Sequence, residues 1–254
     1  MRPLVLLTDF GLCDHYAGVL HGVLAREAPG AERIDLGHQV DPGDVWMACH
    51  LLRSAWTHLP ERAVVLAVVD PGVGTARQAV AAAIGERWLV APDNGLLTSV
   101  GPVGGAVGLD VERMGLARPS PTFHGRDLFA PAAARLARGE EGPSLGPAVD
   151  PSRLAPCPLP EPERLERGWR AAVVHVDRFG NLVTNLRRSE LEPTRSPRCS
   201  RFEIEGWVET YGEAEPGAVV LLTGSSGQLE VSMRDASAAE HLGVVRGDIL
   251  ELEV

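Results

Sequence analysis

The sequence predicts an α/β protein: an N-terminal α/β sandwich domain followed by a small C-terminal β-barrel domain. In the first half, short apolar runs alternate with segments of helical periodicity, which is typical of layered α/β structures. In the second half, short strand-like runs separated by turn residues are typical of a barrel or sandwich. We therefore predict an α/β domain at residues 1–148, a proline-rich linker at 149–168 and a β-barrel domain at 169–254.

The elements of the first domain follow from apolar patterning and capping residues. Residues 4–7 form a short apolar run that Thr8 and Asp9 end, as expected of a buried strand. Asp44 and Asp127 each precede periodic apolar residues, where they can cap a helix N-terminus. In chain order we predict a strand at 4–8, a helix at 16–24, a strand at 33–36, a helix at 44–56, a strand at 63–69, a hairpin of 79–84 with 88–90, and a helix at 127–138.

Seven prolines between residues 142 and 166 interrupt this pattern, and such a density of proline cannot continue a helix or a central strand. After it, apolar runs bounded by turn residues predict strands, and Phe179-Gly180-Asn181 is typical of a turn. The predicted strands lie at 171–176, 182–186, 202–204, 218–222, 229–232 and 248–254.

Composition narrows the classes of partner. The chain has 254 residues with 24 Lys and Arg against 34 Asp and Glu, a formal net charge of −10. An acidic protein repels phosphate backbones and anionic lipid, so we expect neither nucleic acid nor a membrane as a partner. No apolar run approaches the roughly 18 residues of a membrane span or forms a signal peptide. The four cysteines have no metal-site spacing and fit reduced thiols in the cytoplasm.

Polar side chains just past predicted strands are the first candidates for chemistry. Asp9 follows the first strand, where a carboxylate can bind a ribose diol or cap the next helix. Asp70 and Arg77 flank a glycine-rich loop and can meet as a charge-assisted pair, in a site or on the surface. Asp93 and Asn94 form either a turn or a ligand contact. His124 precedes a helix, in a structural or a catalytic role.

The second domain offers two polar turns. Asp177, Phe179 and Asn181 combine hydrogen-bonding groups with a stacking face, as adenine recognition requires, although a plain hairpin turn has the same pattern. Ser225 and Ser226, followed by Glu230, can bind the polar groups of an amino acid or nothing at all.

The order of these motifs resembles one family. Thr8-Asp9-Phe10-Gly11, the Asp-Pro-Gly-Val-Gly-Thr stretch from Asp70, Pro92-Asp93-Asn94-Gly95, His124-Gly125-Arg126-Asp127, Phe179-Gly180-Asn181 and Ser225-Ser226-Gly227 occur as in the S-adenosyl-L-methionine (SAM) hydroxide adenosyltransferases, or adenosine-forming SAM hydrolases. These are relatives of the fluorinases and chlorinases. The resemblance implies an α/β domain, a β-barrel and a homotrimer whose sites lie between the N-domain of one subunit and the C-domain of the next.

The resemblance also implies roles. Asp70, Arg77 and His124 match the family's catalytic set, and Asp9 matches its ribose-binding carboxylate. The remaining substrate-binding positions would be Asp93, Asn94, Asp177, Phe179, Asn181, Ser225, Ser226 and Glu230. The expected reaction is attack of water or hydroxide on the ribose C5′ of SAM, giving adenosine and methionine without a cofactor or a metal ion.

Three alternatives remain open at this point. A halide-dependent SAM transferase is disfavoured because Asp70 replaces an aromatic residue of the halogenating relatives, and a carboxylate repels an anion. A non-catalytic SAM- or adenosine-binding module would keep the pocket and lose the chemistry. A metal-dependent hydrolase would use a cluster of carboxylates and imidazoles, namely Asp9, Asp14, His15, Asp70 and His124.

Overall fold

The computed structural model describes residues 1–191 and 198–253. The chain divides into two compact units, residues 1–158 and 159–254. The boundaries of the predicted domains and linker stay a prediction. Within the described residues, no helix is both long enough and apolar enough to cross a membrane.

The first unit is built on a seven-stranded mixed sheet with the order β2-β1-β3-β5-β4-β6-β7. Strands β2, β1, β3 and β5 run parallel, whereas β4, β6 and β7 are joined by antiparallel pairing. The strands are β1 (Leu4–Thr8), β2 (Arg33–Gly37), β3 (Val64–Val68), β4 (Ala79–Ile84), β5 (Arg87–Pro92), β6 (Gly105–Gly108) and β7 (Ala148–Val149).

The helices of this unit begin and end where local chemistry favours it. The Asp44 side chain accepts a hydrogen bond from the Met47 amide at 2.9 Å, which caps the second helix as predicted. The third helix ends at Gly139, whose φ of 96° suits a left-handed C-cap. The helices are α1 (Tyr16–Glu27), α2 (Val45–Ala55) and α3 (Ala130–Arg138), with a π-helical turn at Gly125–Phe129 and 3-10 turns at Trp56–His58, Gly142–Ser144 and Pro151–Arg153.

A hydrophobic core lies between one face of the sheet and two of the helices. β1 and β3 are buried along their length, and alternate side chains, Leu4 and Leu6 with Val64 and Leu66, pack with the inner faces of α1 and α3. Their continuous apolar runs fit a sheet that is covered on both faces rather than one open to water.

The sequence prediction differs at one helix start and at two short strands here, β6 and β7. Asp127 does not cap the last helix, because the helical path begins earlier, at Gly125. Its carboxylate instead accepts a hydrogen bond from the Ser120 amide at 2.9 Å and pairs with Arg126. Strand β6 was not predicted, because Gly105–Gly108 is too short and too rich in glycine to give an apolar signal.

The second unit is a single sheet of eight strands that curls around its own core. The order is β11-β15-β9-β10-β14-β13-β12, and β8 pairs with β9. Side chains from one face of five strands form a single apolar cluster, so the sheet closes towards a half-barrel, in agreement with the predicted barrel class. The strands are β8 (Glu163–Leu165), β9 (Gly168–Val176), β10 (Leu182–Arg187), β11 (Arg198–Cys199), β12 (Gly206–Trp207), β13 (Val219–Thr223), β14 (Gln228–Met233) and β15 (Ile249–Glu253).

In this unit one predicted strand is absent, and a short helix and the short strands β8, β11 and β12 lie outside the prediction. Residues 202–204 form no strand. Phe202 and Ile204 are half-buried and pack against the core, so the apolar alternation reflects burial of these side chains and not backbone pairing in a sheet. A helix, α4 (Ala238–Leu242), was not predicted, and the Ser237 hydroxyl caps it by accepting from the Glu240 amide. Short 3-10 turns lie at Arg188–Glu190 and Tyr211–Glu213. Residue 254 of the last predicted strand lies outside the described residues.

Candidate active site

The candidate residues of the first unit follow the carboxyl ends of three adjacent parallel strands. Asp9 follows β1, Asp70 comes two residues after β3, and Asp93 and Asn94 follow β5. The chain leaves β1 for β2 on one side and returns to β3 on the other. Such a reversal opens a crevice at the strand ends, which is where ligands bind in open α/β sheets.

Asp70, Arg77 and His124 form one hydrogen-bonded group. The Arg77 Nε donates to Asp70 Oδ1 at 2.9 Å, and its Nη2 donates to Asp70 Oδ2. The same Nη2 lies 3.0 Å from His124 Nδ1. The guanidinium also stacks over the Phe129 ring, 5.1 Å from its centroid. A planar cation held on two sides by fixed partners presents its charge in one orientation.

The Arg77 contact decides the state of His124. Arginine only donates hydrogen bonds, so Nδ1 must accept and the neutral ring carries its proton on Nε2. Burial lowers the pKa of His124, and the Arg77 charge lowers it further. The imidazole is therefore a neutral hydrogen-bond donor through Nε2 near neutral pH.

The Asp9 side chain is held by a backbone amide of a distant segment of the chain. Its Oδ2 accepts from the Gly43 amide at 2.8 Å, and Gly43 has a φ of 73°, which glycine tolerates best. Partial burial raises the pKa of Asp9, the Gly43 hydrogen bond opposes this, and the nearby Asp70 charge adds to it. The backbone amide of Asp9 itself also donates to this carboxylate, so the carboxylate is held in one orientation at the end of β1.

The two residues after β5 differ in their surroundings. The Asn94 amide donates to the Val69 carbonyl at 2.9 Å and ties the loop to the end of β3, while its Oδ1 is buried without a hydrogen-bond partner. Asp93 accepts from the Ala155 amide at 2.8 Å. Asp93 Oδ1 thus fastens the segment around Ala155, and a contact of Asp93 with a ligand stays a prediction.

The helical turn that leads into α3 sets the position of His124. His124 immediately precedes the π-helical turn at Gly125–Phe129, a local irregularity that is frequent at functional sites. A Cβ at Gly125 would lie 3.0 Å from Phe10 Cζ, so glycine permits close approach to the segment after Asp9. Phe10, Tyr16 and Phe123 form an edge-to-face aromatic cluster that fixes this approach, and sequence reasoning missed it.

A cleft of about 890 Å³ lies within the second unit, between the loops of the curled sheet. It brings together most of the candidates predicted for this unit, namely Asp177, Phe179, Asn181, Ser225 and Glu230. Ser226 does not line it, since its hydroxyl donates to Gln228 Oε1 at 3.0 Å.

The loop from Asp177 to Asn181 is preorganised. Asp177 Oδ1 accepts from the amides of Phe179 and Asn181, and Asp177 Oδ2 accepts from the Asn181 side chain, each at 2.9 Å. Phe179 is 78% exposed and lines the cleft, so its ring can stack on a ligand. A Cβ at Gly180 would collide with Ser237, so only glycine lets the loop approach α4.

Glu230 is a buried carboxylate aimed at the same cleft. Burial raises its pKa, and the Tyr211 hydroxyl, which donates to Oε2 at 2.9 Å, stabilises the ionised form. Burial and this carboxylate together raise the pKa of Tyr211 to about 12. The backbone of Gly224 passes so close that a Cβ there would lie 1.8 Å from Glu230 Oε1.

Sequence reasoning missed several residues of this cleft. Tyr211 lies in a short turn without any motif, and Glu209 and Asp235 read as ordinary surface acids. With Asp177 and Glu230 they make the cleft acidic, which favours a cationic ligand. Asp235 has a φ of 57°, a backbone conformation that residues other than glycine rarely adopt.

The metal cluster considered as an alternative is not assembled. Among the residues that the structure describes, one group brings ligand atoms together closely enough for a metal site. It consists of His21, Asp35 and His38. Asp9, Asp14, His15, Asp70 and His124 do not form such a group.

Comparison with known proteins agrees with this geometry. The model of the SAM hydroxide adenosyltransferase N-terminal domain matches residues 4–146, and that of the C-terminal domain matches residues 171–251. A solved structure of an uncharacterized conserved protein from Thermotoga maritima superposes with a TM-score of 0.90 at 33% identity, covering 99% of this chain and 100% of that one.

The chain is more similar to curated hydrolases than to curated fluorinases. A protein named (R)-S-adenosyl-L-methionine hydrolase from Salinispora tropica is 45% identical over 96% of this chain and 95% of its own. One of the same name from Thermus thermophilus is 44% identical over 97% and 98%. A fluorinase from Nocardia brasiliensis is 24% identical over 100% and 97%. The two family models together match most of the residues, and the relatives agree with them: the chain belongs to the SAM hydroxide adenosyltransferase family.

Proposed function

We propose that this protein hydrolyses SAM to adenosine and L-methionine by attack of water at the ribose C5′. The observation that carries the proposal is the Asp70–Arg77–His124 group. It places a cation, Arg77, and a neutral hydrogen-bond donor, His124, side by side at the carboxyl edge of the sheet. The hydrolase relatives at 44–45% identity support the same reaction.

The reaction needs an activated water more than an activated leaving group. Methionine departs as a neutral thioether, because the breaking C–S bond returns its electron pair to the sulfonium. Water has a pKa near 15.7 in bulk, so the developing hydroxide requires positive charge and hydrogen-bond donors. Arg77 supplies the charge, and the Nε2 proton of His124 supplies a donor.

Asp70 completes the step in this proposal. It orients Arg77 with both oxygens, and its remaining lone pairs accept the proton that water loses. The balance is then one water and one sulfonium cation consumed, and one adenosine, one methionine and one proton released. No metal ion or cofactor takes part in this scheme.

The binding residues divide by substrate part. Asp9 would hold the ribose hydroxyls, Asn94 would contact the substrate from the end of β5, and Asp177, Phe179 and Asn181 would hold the nucleoside. Ser225 and Glu230 would hold the methionine end, where the buried carboxylate faces the ammonium. We propose that Ser226 and Asp93 act on the shape of their loops, because their side chains already have protein partners.

We further propose a cytoplasmic homotrimer whose sites combine the N-terminal unit of one subunit with the C-terminal unit of the next. Each unit carries a separate part of the predicted set, which supports shared sites. Among the described residues the four cysteines form no disulfide bond, as is usual in the cytoplasm.

The names of the relatives also bear on stereochemistry. Since "L" already specifies the methionine carbon, the "(R)" in those names refers to the sulfonium centre. We propose that this chain likewise prefers the R epimer, because an in-line attack at C5′ places the two remaining sulfur substituents in fixed directions.

The test is turnover of separated SAM epimers in chloride-free buffer with a chelator and in water enriched in a heavy oxygen isotope. We expect labelled adenosine and free methionine, with faster turnover of the R epimer. Turnover that requires added metal would contradict the metal-free scheme. A halogenated nucleoside formed only with halide would support the transferase instead, and tight SAM binding without any product would support the non-catalytic module.

A further inference from the structure

A second group of ligand-type side chains lies apart from the residues assigned to catalysis. His21 projects from α1, Asp35 lies in β2, and His38 follows the end of β2. Both imidazoles approach the same carboxylate oxygen: Nε2 of His21 is 2.9 Å from Asp35 Oδ1, and Nε2 of His38 is 3.1 Å from it. All three ligand atoms lie within 4.8 Å of one another.

The environment of His38 makes this more than a surface ion pair. The residue is only 5% exposed, and its Nδ1 lies 2.8 Å from the Thr8 hydroxyl. Its Nε2 is buried and, despite the short distance to Asp35, has no aligned hydrogen-bond partner. A buried imidazole nitrogen without a partner carries a cost that a ligand would remove.

The Thr8 contact is compatible with the ligating tautomer. When Nδ1 donates its proton to the Thr8 oxygen, Nε2 keeps a bare lone pair directed at the cluster. This is the arrangement of metal-binding histidines, whose second nitrogen is fixed by a neighbouring acceptor. A bare lone pair beside a carboxylate oxygen is repulsive unless a cation lies between them.

The donor set selects the kind of ion. Two imidazoles and one carboxylate suit first-row transition metals, whereas Mg²⁺ and Ca²⁺ prefer oxygen ligands throughout. Tetrahedral zinc with bonds of about 2.0–2.1 Å separates its ligand atoms by roughly 3.3 Å. The two separations to the shared oxygen, 2.9 and 3.1 Å, are a few tenths of an ångström below this value, and the two imidazole nitrogens lie within 4.8 Å of each other.

We propose that His21, Asp35 and His38 form a site for a divalent transition-metal ion, with water in the remaining position. The ion would clamp α1 to the end of β2. It would also fix the Thr8 segment, since the His38 carbonyl accepts from the Gly11 amide at 2.6 Å and Thr8 directly precedes Asp9. The site is structural and takes no part in the water attack proposed above.

The test is metal binding by the full chain, stripped with a chelator and dialysed, using Zn²⁺ in calorimetry and Co²⁺ in visible spectroscopy. We expect one ion per chain, a Co²⁺ spectrum typical of few-coordinate nitrogen and oxygen ligation, and no displacement by excess Mg²⁺. His21→Ala and Asp35→Asn should each abolish binding. His241→Ala, which removes an exposed histidine of α4, is the matched control and should bind normally.

Two outcomes would overturn the proposal: no saturable binding of Zn²⁺ or Co²⁺, or binding that His21→Ala and Asp35→Asn leave intact. Because His21 and Asp35 are not buried, these variants avoid the folding cost of replacing His38. The readout is independent of turnover, so it separates this site from the metal-free reaction tested with a chelator.

Discussion

At the scale of single residues, Arg77 holds the largest share of the proposed chemistry. It contacts Asp70 and His124 and lies over Phe129, so its charge is fixed before substrate binds. Preorganised charge of this kind is effective because no reorientation is needed as the hydroxide develops.

We predict that Arg77→Ala lowers kcat for SAM hydrolysis by about a hundred- to a thousandfold, the usual loss of one oxyanion-stabilising group. The measurement is adenosine release under saturating SAM. Arg153→Ala, which removes an arginine from a short turn elsewhere in the same unit, should retain wild-type rates and serves as the control. Full activity of Arg77→Ala would exclude the assigned role.

The protonation of His124 predicts a pH dependence. Its pKa is lowered from the ordinary 6.5 by burial and by Arg77, so the ring stays neutral as pH falls through 6.5. Below the lowered pKa, Nδ1 gains a proton and can no longer accept from Arg77. We therefore expect kcat/KM to remain level at pH 6.5 and to decline only at lower pH.

Arg77→Gln provides the comparison, because it removes the neighbouring charge. The pKa of His124, followed by the NMR shift of its ring proton, should then rise towards 6.5. Burial remains as the main cause, so the return should be partial. A pKa above 6.5 in the wild-type protein would contradict the neutral-donor role.

At the scale of elements, the turn before β14 places Glu230. Its glycine, Gly224, has no room for a side chain, because a Cβ would meet the end of the Glu230 carboxylate. The end of a flexible side chain can move, whereas the backbone around it need not.

We predict that Gly224→Ala leaves the thermal stability nearly unchanged but raises KM for SAM about tenfold, the loss expected when one charge-assisted contact is weakened. The double variant with Glu230→Gln should be no worse than the poorer single variant, because both act on one carboxylate. Gly18→Ala is the control: its Cβ position in α1 is open, and alanine favours a helix. Additive effects would show that Gly224 acts elsewhere.

Most of these elements are predictable from sequence, and the failures have local causes. The strands β1 and β3 are continuous apolar runs, and Asp44 caps α2 as its side chain implies. The helix expected from Asp127 was misplaced because a π-helical turn has no apolar signature. Asp70 and Arg77 pair across their loop as predicted, whereas Tyr211 was missed because no motif marks it.

At the scale of the whole molecule, the proposed trimer divides one site between two chains. Arg77→Ala damages the N-terminal unit alone. A chain carrying Phe179→Ala and Glu230→Gln damages only the C-terminal unit. Each variant alone should be nearly inactive in the SAM assay.

Co-expression of the two variants should recover activity. In a closed ring of randomly mixed subunits, about one quarter of the sites combine an intact N-terminal unit with an intact C-terminal unit from the next chain. We expect about a quarter of the wild-type rate, together with a trimer mass by light scattering. A mixture no more active than its components would contradict sites shared between chains.

The π-helical turn at Gly125–Phe129 has one further consequence. A π turn is equivalent to one residue inserted into an α-helix, so deleting a single residue there would restore regular hydrogen bonding through α3. The same deletion would rotate His124 by about 100° around the helix axis, away from Arg77. Shortening the chain by one residue would thus yield a more stable protein without catalytic activity. The irregular turn therefore exchanges some stability for activity.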